Sequence, residues 1–214
     1  AFDLKFQPIF CNSKNNFSFN FKNICQYKKI KGLLISNPLN PTGSVLQLQD
    51  IKKISSFCKK NKIRIISDEI YHGINFTGKD NTFVKHNKEA ICINSFSKYF
   101  SMTGWRVGWM IVPNQLTRSV ECLAQNLFIS PPTLSQYAAE AAFNCKDELN
   151  QNVQRYSKNR DLLLKELPKM AFNRLASADG AFYLYANIAH LTNDSEEFCR
   201  RMLNETGVAI APGT

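Results

Sequence analysis

Residues 90–98 read Ala90-Ile91-Cys92-Ile93-Asn94-Ser95-Phe96-Ser97-Lys98, and Gly104-Trp105-Arg106-Val107-Gly108-Trp109 follows six residues later. An apolar run of four or five residues that stops abruptly at small hydroxyl residues reads as a buried strand running into a turn. The same grammar recurs outward along the chain. Gly32-Leu33-Leu34-Ile35-Ser36 stops at Asn37-Pro38-Leu39-Asn40-Pro41-Thr42-Gly43, and Ile63-Arg64-Ile65-Ile66-Ser67 stops at Asp68-Glu69-Ile70-Tyr71. Val107 to Val112 predicts a further strand, entered from the Gly-Trp-Arg turn and closed by Pro113.

Between these runs the periodicity is helical. From Leu48 to Asn61 the apolar positions Ile51, Ile54, Phe57 and Cys58 share one face, with lysines opposite. Helices are predicted over 114–129, over 133–146 after Pro131-Pro132, over 147–167 before Pro168, and over 194–205 with Asp194 and Ser195 as candidate caps. Strands are predicted at 180–187, where Phe182, Leu184 and Ala186 alternate with Tyr183, Tyr185 and Asn187, and at 207–212. Residues 11–29 read as a polar connecting segment. Alternating strands and helices predict an α/β fold, a mostly parallel sheet flanked by helices, joined to part of a smaller α+β domain. The division is placed in the long helix: 1–155 as part of the large domain and 156–214 as part of the small one.

Composition narrows the function classes. The chain has 214 residues, 44% hydrophobic and 21% charged, which is globular composition with room for a substantial core. No apolar run approaches the roughly 18 residues of a membrane span. Residues 1–9 contain Asp3, Lys5 and Gln7 rather than a signal-peptide apolar stretch. The formal net charge is +10, yet the basic residues are dispersed, as in Lys28, Lys29, Lys31, Lys52, Lys53, Lys59, Lys60 and Lys62. Without aromatic–basic interleaving or zinc-finger spacing, this favours small anionic ligands, and no nucleic-acid partner is expected. Seven scattered cysteines with no Cys-x-x-Cys pair argue against a disulfide framework and for a reducing, cytoplasmic compartment. Cys58 and Cys92 are expected in the core. His72, His86 and His190 have no ligand partner at helical spacing, so no metal site is expected. Ala1 opens in what reads as mid-domain sequence, and Ala211-Pro212-Gly213-Thr214 reads as a turn leading onward. Both ends are expected to be cut from a longer protein.

Ligands of such sheets gather beyond the carboxyl ends of the strands. The polar residues that follow the apolar runs are therefore the candidate site: Asn40, Asp68, Tyr71, Ser95, Ser97 and Lys98, with Arg106 leading into the fourth strand. Singly, each has a plain structural use. Asn-Pro pairs make rigid bends, an aspartate after a strand caps a helix, Tyr71 suits a core, and Arg106 can pair with a carboxylate. Together they suit a pyridine cofactor bearing a phosphate. Lys98 can form a Schiff base and then move a proton as general base. Asp68 can hold the ring nitrogen protonated. Tyr71 and Asn40 can donate to a ring oxygen, and Ser95, Ser97 and Arg106 can bind phosphate.

The motifs Asn37-Pro38-Leu39-Asn40-Pro41-Thr42-Gly43, Asp68-Glu69-Ile70-Tyr71, and Ser95-Phe96-Ser97-Lys98 with Gly104 to Trp109 resemble those of the class I/II aminotransferases, pyridoxal-phosphate enzymes of fold type I. Gly180-Ala181-Phe182-Tyr183 resembles the small-domain strand motif of that family, and Gly207 to Gly213 its later strand and turn. The resemblance covers nearly the whole chain. It implies pyridoxal 5'-phosphate as cofactor, Lys98 as its covalent anchor, and Asp68 at the pyridine nitrogen. It further implies Tyr71 and Asn40 at the ring oxygen, Ser95, Ser97 and Arg106 at the phosphate, and Asn40 near the substrate carboxylate. The activity implied is transamination between an α-amino acid and a 2-oxo acid, in a homodimer. The alternatives are another fold type I chemistry, such as a β-carbon–sulfur lyase or a cyclopropane-carboxylate synthase, or a cofactor-sensing domain of a regulator. Family members run to about twice this domain-scale length. Their glycine-containing phosphate turn, their ring-stacking aromatic and their substrate-clamping arginine have no counterpart within 1–214.

Overall fold

The computed structural model describes residues 4–11, 17, 21–27 and 29–213. Four strands form one sheet in the order β1-β2-β3-β4: β1 Gly32–Ser36, β2 Arg64–Asp68, β3 Ile91–Ser95 and β4 Gly108–Ile111. The first three are mutually parallel and β4 is antiparallel to β3. The connections dictate this. A parallel neighbour needs a crossover, and Leu48–Lys60 supplies it between β1 and β2. A turn and loop suffice between β3 and β4, so the chain reverses there.

Helices precede and follow these strands: α1 Phe21–Cys25, α2 Leu48–Lys60, α3 Asn114–Leu127, α4 Thr133–Ala142, α5 Lys146–Glu166 and α6 Ser195–Thr206. On α2 the spacing of Ile51, Ile54 and Cys58 puts all three in the core, while Lys59 and Lys60 sit in the last turn, where the helix dipole favours cations. That face packs on Leu33 and Ile35 of β1, Ile65 of β2 and Cys92 of β3, with Phe83 and Ile24 closing the cluster. Each buried isoleucine contributes about 1.5–3 kcal/mol relative to exposure. Cys58 and Cys92 are core residues as expected, and burial pushes both thiols up to about 11.

The opposite face of the sheet is bare. Leu34 is 64% exposed, Ile93 36% and Met110 49%. A groove of about 1450 Å³ runs beside it, between residues 4–9 and β1.

Several sequence expectations are corrected. Residues 180–187 form no regular strand; two single bridges, Asn75 with Gly180 and Leu175 with Ala186, take its place. Ala178 and Ala181 adopt left-handed backbone (φ 49° and 58°), which breaks the pleat that alternation alone implied. Residues 207–212 are irregular too, having no strand to pair with among the described residues. The polar segment 11–29 contains α1, anchored by buried Ile24, while 12–16, 18–20 and 28 lie outside the described residues. The helices predicted at 114–129 and 133–146 end earlier, at Leu127 and Ala142. The helix predicted at 194–205 is capped as expected, with Asp194 Oδ1 accepting from the Glu197 N–H at 3.0 Å. Residues 155 and 156, where the sequence reading places the division within the long helix, lie in α5 as that reading has them.

Among the described residues no helix is long and apolar enough to cross a membrane, and no cluster of His, Cys, Asp and Glu could hold a metal ion.

Candidate active site

The strand registers decide where the polar segments meet. Ser36 lies opposite Asp68, Asp68 opposite Ile93, and Ser95 opposite Gly108. The carboxyl ends of β1, β2 and β3 and the amino end of β4 therefore form one edge. Asn40, Asp68, Tyr71, Ser95, Ser97, Lys98 and Arg106 all leave the sheet there.

Lys98 sits in a loop held rigid from beneath. Phe96, Met102 and Val107 are buried against Ala139 and Ala142 of α4. The Phe96 ring lies 4.6 Å from Phe100 and 5.4 Å from Phe143. The Met102 N–H donates to Phe96 O at 3.0 Å, the Ser101 N–H to Lys98 O at 3.0 Å, and the Thr103 hydroxyl to Ser97 O at 2.8 Å. Ser101 and Arg106 are left-handed (φ 56° and 52°), a cost of about 1–3 kcal/mol each that this packing sustains. Lys98 Nζ itself lies 5.8 Å from the centroids of both the Tyr71 and Phe182 rings. No carboxylate pairs with it among the described residues.

Ser95 Oγ accepts from the Ser97 N–H at 3.0 Å and lies 2.9 Å from Ser97 Oγ, so the two hydroxyls face one another. Arg106 is exposed. Its guanidinium donates to Thr103 O at 3.0 Å and meets no carboxylate among the described residues, which removes its plain ion-pair reading. Asp68 caps no helix. Its Oδ1 accepts from the Ile70 N–H at 3.1 Å, closing a tight turn that carries the chain to Tyr71.

Tyr71 is 2% exposed. Its hydroxyl meets that of Tyr183, and its ring stands edge-on to Phe182 and Tyr183 with centroids 5.5 Å apart in each case. Burial chiefly, then the Tyr183 hydroxyl, then the Asp68 charge, hold the phenol protonated far above its ordinary range. The two motif asparagines differ. Asn37 is buried and structural, its Oδ1 accepting from the Leu46 N–H at 2.9 Å. Asn40 is exposed and makes no side-chain hydrogen bond among the described residues. Both Asn-Pro bonds are cis.

Sequence reading assigned no role to three further groups. Glu69 is buried, and its Oε1 accepts from the Ser67 hydroxyl at 3.0 Å and the Phe83 N–H at 2.9 Å, tying the turn after β2 to its surroundings. Phe182 and Tyr183 enter through Gly180, whose N–H donates to Gly43 O at 2.7 Å. A Cβ at Gly180 would stand 2.7 Å from Pro38 Cγ, so only glycine admits this approach. Gly73 plays a similar part beneath the lysine loop: at φ 92° it lies so close to the Tyr99 ring that a Cβ would overlap it. The Gly-Ala-Phe-Tyr motif was the available signal for Phe182 and Tyr183. Adjacency to Asp68 was the signal for Glu69.

One edge thus carries a lysine facing two rings, a carboxylate, a protonated phenol, paired hydroxyls and an exposed guanidinium, the lysine and guanidinium without carboxylate partners among the described residues. That donor set fits a flat aromatic ligand with a basic ring nitrogen, a ring oxygen and a phosphate.

The family model for aminotransferase class I and II matches residues 2–214. The valine–pyruvate aminotransferase of Mycobacterium tuberculosis is 45% identical over 188 residues, covering 86% of this chain and 48% of that protein. The (5-formylfuran-3-yl)methyl phosphate transaminase of Methanocaldococcus jannaschii is 35% identical, over 97% of this chain and 54% of that protein. Among solved structures, an aminotransferase from Mycobacterium tuberculosis superposes with a TM-score of 0.90 at 42% identity, over 95% of this chain and 54% of that one. The chain spans about half the length of the relatives it matches. Sequence motifs, fold and these similarities agree: the chain belongs to the class I and II aminotransferase family.

Proposed function

We propose that the full-length protein is a pyridoxal-phosphate-dependent aminotransferase that moves an amino group between an α-amino acid and a 2-oxo acid. The observation that carries this reading is Lys98 Nζ, without a carboxylate partner among the described residues and facing the Tyr71 and Phe182 rings on the edge that also bears Asp68. When bound, the cofactor supplies a ring that withdraws electrons from the substrate's α-carbon.

The chain's residues do the rest. Lys98 Nζ would be the covalent attachment point, and its amine would take and return the substrate's α-proton. Asp68 sets its carboxylate against the ring nitrogen and keeps a proton there. Tyr71, buried and protonated, donates to the ring oxygen. Asn40, exposed on the same edge, would serve the same oxygen and the substrate carboxylate. Ser95, Ser97 and Arg106 hold the phosphate, the guanidinium by charge and the hydroxyls by direction. A cytoplasmic homodimer, with 1–155 and 156–214 as parts of its large and small domains, completes the reading.

An amino-donor screen of the full-length protein tests it. Because a 45% identical relative is named for valine and pyruvate, that pair comes first. Stoichiometric appearance of a new amino acid and a new 2-oxo acid is expected. Pyruvate and sulfide released from a cysteine conjugate, with no need for an amino acceptor, would replace the transaminase with a lyase.

A further inference from the structure

Tyr71 has one hydroxyl proton, and the proposed function directs it to the cofactor's ring oxygen. A phenol whose proton points at a protein group cannot do this, so the partner of the Tyr71 hydroxyl decides whether the residue works. That partner is the Tyr183 hydroxyl, 112 positions away in the chain. The two rings stand edge to face at 72°.

Tyr183 is held firmly. The Gly180 and Ala181 N–H groups donate to Gly43 O and Ile74 O at 2.7 and 2.8 Å, and Arg160 of α5 donates to Ala178 O at 2.6 Å. The charged groups facing Tyr71 are Asp68, at the end of β2, and Lys98, in the loop after β3.

We propose that Tyr183 is a positioning residue that donates its hydroxyl proton to the Tyr71 oxygen, leaving the Tyr71 proton free for the ligand. This rests on the function proposed above. A phenol oxygen that accepts one hydrogen bond is a stronger donor in its next, so Tyr183 both orients and strengthens Tyr71. The reverse arrangement, Tyr71 donating to Tyr183, is the one in which this contact raises the Tyr71 pKa in the cofactor-free chain, and it would silence Tyr71. A bound ring oxygen, a stronger acceptor than a phenol, would draw the Tyr71 proton to itself and turn the pair over, so that Tyr183 donates in the loaded protein. Burial is the chief cause that keeps Tyr71 protonated near neutrality, so the direction of its proton is what Tyr183 controls there.

Tyr183→Phe keeps the ring and removes only the hydroxyl, and a double-mutant cycle with Tyr71→Phe in the full-length protein isolates the effect. Three readouts serve: the pH midpoint of the bound cofactor's visible band, cofactor affinity by equilibrium dialysis, and the Tm of the cofactor-free protein. Weaker donation leaves the ring oxygen a better acceptor for the proton shared with the lysine nitrogen, so that proton is lost at higher pH. Tyr183→Phe is expected to raise the midpoint by roughly half a unit to one unit and weaken cofactor binding about two- to tenfold. In the Tyr71→Phe background the same change should move neither quantity, and the two Tm effects should be non-additive. An unchanged midpoint, an equal shift in both backgrounds, or additive Tm effects would overturn the proposal. A wild-type protein with no visible band would overturn the functional reading first, before any variant is made.

Discussion

A single lysine does not identify a site, but its surroundings do. Lys98 Nζ faces a pair of adjoining rings, each centroid 5.8 Å away, and has no carboxylate partner among the described residues, which leaves its amine available to a ligand. Lys98→Ala should abolish covalent cofactor attachment while leaving reversible binding through Asp68, Ser95 and Arg106. Turnover should fall on the order of 10²–10⁴-fold, and dialysis against cofactor with intact-mass measurement checks both halves. Asp68→Ala should keep the covalent attachment but lower kcat about 10²–10³-fold, because the ring nitrogen loses the charge that keeps it protonated. Steady-state kinetics beside the visible spectrum reads this. That Lys98, Asp68, Tyr71 and Arg106 share one edge of the sheet was legible because each stands beside an apolar run that announces a strand end. The part of Tyr183 was not, since its contact with Tyr71 joins positions far apart in the chain and no local pattern encodes it. Sequence reading named Asn40 rather than Asn37 from their shared motif, and the structure gives the two a physical difference: Asn37 is buried and hydrogen-bonded, Asn40 exposed.

Elements with one clear period were read correctly in type and, to within one residue, in start, and α2 to within one residue at its end as well. The α2 stripe of Ile51, Ile54 and Cys58 left no ambiguity, and α3 and α4 follow their prolines, although both end short of the expected boundary. Residues 180–187 failed for an instructive reason. Alternation signals a pleat only if every residue stays extended, and Ala178 and Ala181 are left-handed because the segment must turn into the site. Close approach of segments has a testable consequence at Gly73. Alanine there would be strained at φ 92° and would drive its Cβ into the Tyr99 ring, the neighbour of Lys98. Gly73→Ala should destabilise the protein by about 2 kcal/mol or more and lower Tm by several degrees, measured by thermal melts with and without cofactor.

At the scale of the molecule, the sheet has one face covered along β1 to β3 and one bare face, with β4 exposed on both. Leu33, Ile35 and Ile65 pack under α2, whereas Leu34, Ile93 and Met110 on the other side stay accessible. Patches of that kind bind apolar dyes and promote association. A protein consisting of residues 1–214 alone should therefore enhance the fluorescence of 1-anilinonaphthalene-8-sulfonate and self-associate in sedimentation. The full-length protein should do the former far less. The central claim, that this edge holds pyridoxal phosphate on Lys98, is tested most directly by reduction. Full-length protein loaded with pyridoxal 5'-phosphate, treated with borohydride and digested should yield one phosphopyridoxyl-modified peptide, with the modification on Lys98. An adduct confined to other lysines, or none at all in a folded protein, would contradict it.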